Sequence, residues 1–315
     1  MHLCVAQHSI THLHASYLWE KEQPSVARSF FEFGLEIDSD LPPQLAAQAH
    51  RLVGHVSLDL AQPRAALAAY SEALRLRTEL EPPESPPIAD VLDSLACANV
   101  EANSLAAAFE QLDRATAIHD AHDPTNMSRT LAIRAMACLR AGDADGALSA
   151  IRRCWELQGL DEAHIEASRY PKHSGDVMLL SRIYWLQGRK AEAQELAARS
   201  IAMRKGTFGD KGGPRVADSL FTVARMLEEG GEDVLAAKML REGVEICGEA
   251  EGMRPHLARA LWFLSKTEER LGTQDKEVQS LRERAKEARA RIDGREWEDE
   301  NTDEGFARLV AWMLW

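Results

Sequence analysis

The sequence predicts an all-α protein: a right-handed superhelical solenoid of about seven helix pairs, closed by a C-terminal capping helix. Three observations carry this. Small residues recur as Ala15, Gly54, Ala96, Ala135, Ser181, Ala224 and Ser265, at intervals of 39, 42, 39, 46, 43 and 41. Each is followed at fixed distances by further residues of matching size. Twelve positions on come Ala27, Ala66, Ala108, Ala147, Ala193 and Ala236, with Glu277 breaking the series. Four further on stand Phe31, Tyr70, Leu112, Ile151, Ala197, Leu240 and Leu281, and three beyond those Gly34, Ala73, Ala115, Cys154, Ser200, Gly243 and Arg284. Small residues let two helix backbones approach and larger ones fill the space left over, so the pattern describes one helix crossing another at a fixed spot. The third observation is independent. Pro43, Pro87, Pro124, Pro171, Pro214 and Pro255 each precede a recurring small residue by 9 to 11 positions, where the first helix of each unit should start and proline is tolerated.

Taken in order, the helix pairs are expected at about 2–20 with 24–38, 44–60 with 63–80, 87–102 with 104–121, and 125–141 with 143–158. They resume at 173–187 with 189–206, 214–229 with 232–250, and 255–271 with 274–293. Residues 2–158 are thus repeats one to four, 159–172 an inter-repeat linker, 173–293 repeats five to seven, and 294–315 an acidic linker and C-terminal amphipathic helix. Glu81 to Pro87 reads as a stiff extended connector. The linker carries Asp161 to Glu166, enough for an extra helical turn. Repeat seven, without its small residue at Glu277, reads as a degenerate terminal unit. The acidic stretch Glu296 to Glu304 leads into Phe306, Leu309, Val310 and Met313, whose spacing of 0, 3, 4 and 7 is one helical face. A stack ends on an apolar face. That face is expected to cover the end of repeat seven, or else to serve a partner or a homodimer.

The motif resembles the tetratricopeptide repeat. Repeat five carries it as Leu180, Ser181, Arg182, Ile183, Tyr184, Gly188, Ala193, Ala197 and Ser200; repeat six as Val223 to Leu227, Gly231, Ala236, Leu240 and Gly243. The spacing exceeds the usual 34 and is similar to the kinesin-light-chain and MalT-like variants, as is the segment Arg204 to Asp210 followed by Pro214 and Ala217 to Leu220. The overall pattern is also similar to repeat regions of many fungal proteins. The resemblance implies that the first helix of each repeat lines a concave groove. It maps groove positions onto Arg182, Arg225 and Lys266, a row of cations, with Met178, Trp185, Phe221 and Trp262 nearby. Such a row suits an acidic peptide with apolar anchors. The competing reading is a salt-bridged surface, since Glu228, Glu229 and Glu269 lie at helical spacing from Arg225 and Lys266.

Composition excludes several classes. The 315 residues carry a formal net charge of −13, which disfavours nucleic acid and anionic membrane surfaces. No apolar run is long enough to span a bilayer. The five cysteines, Cys4, Cys97, Cys138, Cys154 and Cys247, are scattered and odd in number, as expected of buried reduced thiols in the cytoplasm. Cys4, His8 and His12 share a helical face with His14 nearby, but no fourth ligand is evident and no metal is assigned. Gly206 to Gly213 lacks the Gly-Lys-Ser/Thr of a phosphate loop and reads as an inter-repeat loop. No catalytic constellation and no cofactor motif is present. The expected function is a non-catalytic protein–protein interaction scaffold holding a partner's peptide segment. The alternative is the sensor arm of a signalling (STAND-type) ATPase, since the first unit begins almost at Met1. An enzyme built in the groove ranks third.

Overall fold

The computed structural model describes residues 14–18, 23–36, 41–208, 213–248, 251–296 and 301–312. Among them there are helices and no strand. Helical residues 14–18 precede α1 (Pro24–Glu36). Six hairpins follow: α2 (Pro43–Asp59) with α3 (Pro63–Leu80), α4 (Pro86–Glu101) with α5 (Leu105–His122), and α6 (Ser128–Arg140) with α7 (Ala144–Leu157). After the short α8 (Glu162–Ala167) come α9 (Ser174–Leu186) with α10 (Lys190–Phe208), α11 (Pro214–Glu229) with α12 (Asp233–Cys247), and α13 (Arg254–Arg270) with α14 (Asp275–Ala290). The last described helix is α15 (Asp303–Ala307). The chain forms two compact units, Met1–Asp161 and Glu162–Trp315. Within each, a helix packs on its hairpin partner and on the next hairpin. The chain is an all-α helical-repeat solenoid.

Prolines set the helix starts. Pro24, Pro43, Pro63, Pro86 and Pro214 are the first residues of α1 to α4 and α11, where no intrahelical N–H is needed. Pro86 and Pro87 therefore belong to α4 rather than to the connector before it. Pro124 and Pro171 open 3-10 turns that lead into α6 and α9, and Pro255 is the second residue of α13.

The small residues lie at the crossings. Ala15, Ala96, Ala135, Ser181, Ala224 and Ser265 are fully buried, as are Ala27, Ala66, Ala108, Ala147, Ala193 and Ala236. Gly54 makes the reason plain: a Cβ there would overlap the Tyr70 ring. That ring is itself buried, and its hydroxyl shares a hydrogen bond with His55 Nδ1 (2.7 Å). Burial, then the charges of Arg129 and Arg51, hold His55 well below the usual histidine range, so it stays neutral. In repeat five the Ser181 hydroxyl donates across the crossing to the Ala193 carbonyl (2.7 Å). The third small position also has a polar use. The Cys154 thiol donates to the Ser128 carbonyl (3.2 Å) and the Ser200 hydroxyl to the Ser174 carbonyl (2.7 Å), each tying the second helix to the start of the first.

Hairpin linkers are nearly identical. Three residues join the helices at 60–62, 102–104, 141–143, 187–189 and 230–232. The middle one is left-handed: Ala61 (φ 56°), Asn103 (61°), Gly142 (81°), Gly188 (79°) and Gly231 (78°). The next N–H then reaches back to the carbonyl five residues earlier at 2.8–2.9 Å, the usual way of ending a helix at such a residue. The last linker, 271–274, has one residue more after Gly272 and Thr273. At repeat seven the crossing position thus falls on Val278 instead of Glu277, and it is still without a small residue. The extra residue moves two of the core positions of α14 on by one, to Val278 and Ala285, while Leu281 keeps its place. Glu277 is exposed, while Val278 (3% exposed) and Ala285 (0%) face the core. Repeat seven is a complete hairpin.

Polar seams join successive hairpins. In the first unit the Thr130 hydroxyl of α6 donates to Asp93 of α4 (2.9 Å). Asp93 is 1% exposed and its other oxygen has no partner among the described residues. Burial pushes this carboxyl up to about 7, Asp90 adds to the rise, and Thr130 and Arg129 oppose it. In the second unit Arg204 of α10 bonds Ser219 of α11 (2.7 Å), and Arg259 of α13 bonds Asp218 of α11 (2.6 Å) with both side chains nearly buried.

Two outcomes are expected. Gly54→Ala and Ala236→Leu overfill their crossings and should each lower unfolding free energy by about 1–3 kcal/mol. Urea titration checks this, and a wild-type midpoint would refute the crossing. For Asp93 the folded value lies above the unfolded one, so its contribution is favourable at low pH and is lost as pH rises from about 4 towards about 7. Asp93→Asn removes that loss. Its melting temperature relative to wild type should climb between pH 5 and pH 8, as read by thermal denaturation in matched buffers.

Candidate functional site

The first helices of three consecutive hairpins, α9, α11 and α13, carry the six residues of interest. Arg182 and Trp185 lie on α9, Phe221 and Arg225 on α11, and Trp262 and Lys266 on α13, all half-buried. Arg182, Arg225 and Lys266 each follow a crossing residue by one position, so equivalent turns of stacked helices present them as a row. Met178, at the position equivalent to Phe221 and Trp262, is not part of it. It is fully buried in the core with Val216 and Leu220; a flexible unbranched side chain fills the gap there.

Most of the row's contacts are made between hairpins. The Trp185 indole N–H donates to Glu229 (2.8 Å). Phe221 meets Phe263 edge-on at 5.1 Å, with the Arg259 guanidinium 3.9 Å above the Phe221 ring. Arg225 lies 4.6 Å over Phe263 and pairs with Glu228. Glu228 is a hub: its side chain is 6% exposed, and it also accepts from Thr267 and from Arg270 (2.6 Å). The salt-bridged reading therefore holds for Arg225. Lys266 is salt-bridged too, but to Asp303 and not to Glu269, which pairs with Arg282 (2.5 Å).

Lys266 is engaged by the C-terminal segment. Its ammonium bonds Asp303 (2.5 Å), and the Trp262 indole N–H donates to the same carboxylate (2.9 Å). Phe306 stacks on Trp262 with ring centroids 4.3 Å apart and planes 8° from parallel. Further on, the Trp312 ring lies 4.1 Å from the Arg182 guanidinium. Burial works to raise the Asp303 carboxyl, but hydrogen bonds from Lys266 and Trp262 and the charges of Lys266 and Arg225 prevail and hold it below the usual range. One carboxylate and two aromatic rings of the tail thus meet Lys266, Trp262 and Arg182, while Arg225 keeps Glu228 and Phe263.

The tail differs from the continuous amphipathic helix expected at 306–313. Phe306, Leu309 and Val310 are buried, but α15 ends at Ala307, and Met313 lies outside the described residues. A five-residue helix has no stability of its own. It is held by the Thr302 hydroxyl, which accepts from the Gly305 N–H (3.1 Å), and by Phe306. Phe306 and Leu309 join the core of the second unit with Leu261, Leu264 and Leu281. Periodicity missed the docking of Asp303 and Trp312, yet one signal existed. Trp262 and Asp303 are 41 residues apart, as are Asp218 and Arg259 across the preceding repeat interval. At that offset, segment 303–307 aligns with residues 262–266, the middle of the first helix of repeat seven.

Two other readings are placed as follows. Cys4, His8 and His12 lie outside the described residues, and His14 stacks near Phe30 at 6.4 Å. Of the segment Gly206 to Gly213, residues up to Phe208 belong to α10 and 209–212 lie outside the described residues.

Removing one member of the buried seam under the row tests its electrostatics. Asp218→Ala leaves the Arg259 charge unpaired and should cost about 3–5 kcal/mol. Pairing Asp218→Leu with Arg259→Met should restore most of it in chemical denaturation.

No protein-family model matches the chain, and no curated protein matches it. Solved structures do. The Rap conjugation gene regulator of plasmid pLS20, solved in complex with the Phr* peptide, aligns with a TM-score of 0.64 at 15% identity, over 92% of this chain and 75% of that one. BtubC (BKLC) from P. vanneervenii aligns at 0.51 and 15% identity, over 76% and 96%. A putative kinesin light chain with nearly identical TPR-like repeats from Podosopora anserina aligns at 0.44 and 19% identity, over 63% and 95%. With its hairpins, crossings and left-handed linkers, this chain has the tetratricopeptide-repeat fold.

Proposed function

We propose that this protein is a non-catalytic scaffold that holds a segment of a partner protein along the groove formed by Arg182, Trp185, Phe221, Arg225, Trp262 and Lys266. The observation that carries the reading is the chemistry the row already receives: a carboxylate on Lys266 and Trp262, and aromatic rings against Trp262 and Arg182. An acidic segment with apolar anchors presents those groups. The Rap structure bound to its peptide supports a peptide-holding use of this fold. The net charge of −13 disfavours nucleic acid as the partner. No described helix is long and apolar enough to cross a membrane. Cys97, Cys138, Cys154 and Cys247 are buried, and burial pushes the Cys97 and Cys247 thiols up to about 12. Unreactive thiols suit the cytoplasm.

Capture from a native extract, run side by side on wild type and Arg225→Glu/Lys266→Glu, tests the reading. Wild type should retain a partner that the variant loses at least tenfold and that elutes as salt rises, because exposed charge pairs are screened. Identical retained sets would end the proposal.

A further inference from the structure

The tail does more than close the stack. Asp303 and Phe306 engage Trp262 and Lys266 of α13, and only six residues beyond Phe306 the Trp312 ring lies against Arg182 of α9, two hairpins back. The helix ends at Ala307 and the chain turns at 308–309, where the Leu309 N–H donates to the Phe306 carbonyl (3.3 Å), so it departs from the course of a repeat helix before Trp312 meets Arg182.

We propose that residues 303–312 are a resident, exchangeable occupant of this row, and that the partner segment it accepts shows the same chemistry: a carboxylate, an aromatic ring three residues later, and a second aromatic ring six beyond that. The inference rests on the scaffold reading and names its ligand and its control. Three features support exchange. The five-residue helix cannot persist alone. The polar anchors remain open to water, with side-chain exposures of 50% for Asp303 and 35% for Lys266. The burial of Phe306, Leu309 and Val310 is opposed by the ordering of about ten residues. A tail that is closed about nine-tenths of the time or more scales the affinity for a competing segment by the open fraction, about one tenth or less. The partner then has to displace the tail, and any event that weakens the tail raises partner affinity.

The test uses the full chain and a fluorescently labelled synthetic peptide, residues 301–312 of this sequence. Two release variants are made, Asp303→Lys and Asp303→Lys/Phe306→Ala, with melting curves confirming that the repeats stay folded. Amide exchange at 305–309 should rise at least tenfold in the release variants, and the peptide should bind them at least tenfold more tightly than wild type. Adding Lys266→Asp to Asp303→Lys should restore the pair with reversed charges and return both readouts towards wild type. Arg182→Glu in the release background should weaken the peptide again. A tail that opens without a gain in peptide binding would make it an end cap alone and overturn the inference. So would exchange that stays at the wild-type rate in both release variants. The scaffold reading fails separately, through the capture experiment on Arg225→Glu/Lys266→Glu. A partner retained equally by wild type and Asp303→Lys would overturn exchange while leaving the scaffold intact.

Discussion

The close approach of two helices at each small-residue crossing is the constraint on which the other contacts depend. Where Ala224 meets Ala236, or Gly54 admits the Tyr70 ring, the backbones come near enough for one hairpin to form a single ridge. That separation sets the angle at which each first helix presents its outer face. It therefore decides whether Arg182, Arg225 and Lys266 align.

Between hairpins the interactions change character. The crossings are mostly apolar, but the seams are hydrogen bonds and ion pairs: Asp93 with Thr130, Arg204 with Ser219, Asp218 with Arg259, and Glu228 with Arg270 and Thr267. Apolar surface tolerates sliding, whereas a buried charge is stable only in register with its partner. The seams thus hold neighbouring repeats at one rotation, and the row inherits its alignment from them. Because each repeat touches chiefly its neighbours, a change in one seam shifts the adjacent part of the row first.

Helix content, hairpin order and linker positions were legible because they follow from local spacing. Small residues mark crossings and prolines mark helix starts, and both kinds of mark recur with the repeat. The shift of two core positions in α14 was not legible from spacing within the helix. Its cause is one added linker residue after Thr273, which shows only when the linkers are aligned on Gly188, Gly231 and Gly272. The six row residues were named through resemblance, and the side chains they meet were legible only in part. Arg225 with Glu228 is a helical-spacing pair that sequence can offer. Lys266 with Asp303 joins residues 37 apart, and Arg182 with Trp312 spans further still; no periodicity within a helix reports such contacts.

The left-handed linker residues carry a kinetic consequence. Glycine adopts that conformation freely, but Ala61 and Asn103 hold it with a side chain in place, which for a residue such as alanine costs roughly 1–2 kcal/mol. A solenoid can begin folding at any hairpin and spread outward. Hairpin α6/α7 reverses at Gly142, whereas α2/α3 and α4/α5 reverse at Ala61 and Asn103. Within the first unit, nucleation accordingly favours the α6/α7 end, and the earlier hairpins close onto a neighbour that is already formed. Order would then travel towards the amino terminus, opposite to the direction in which a ribosome delivers the chain.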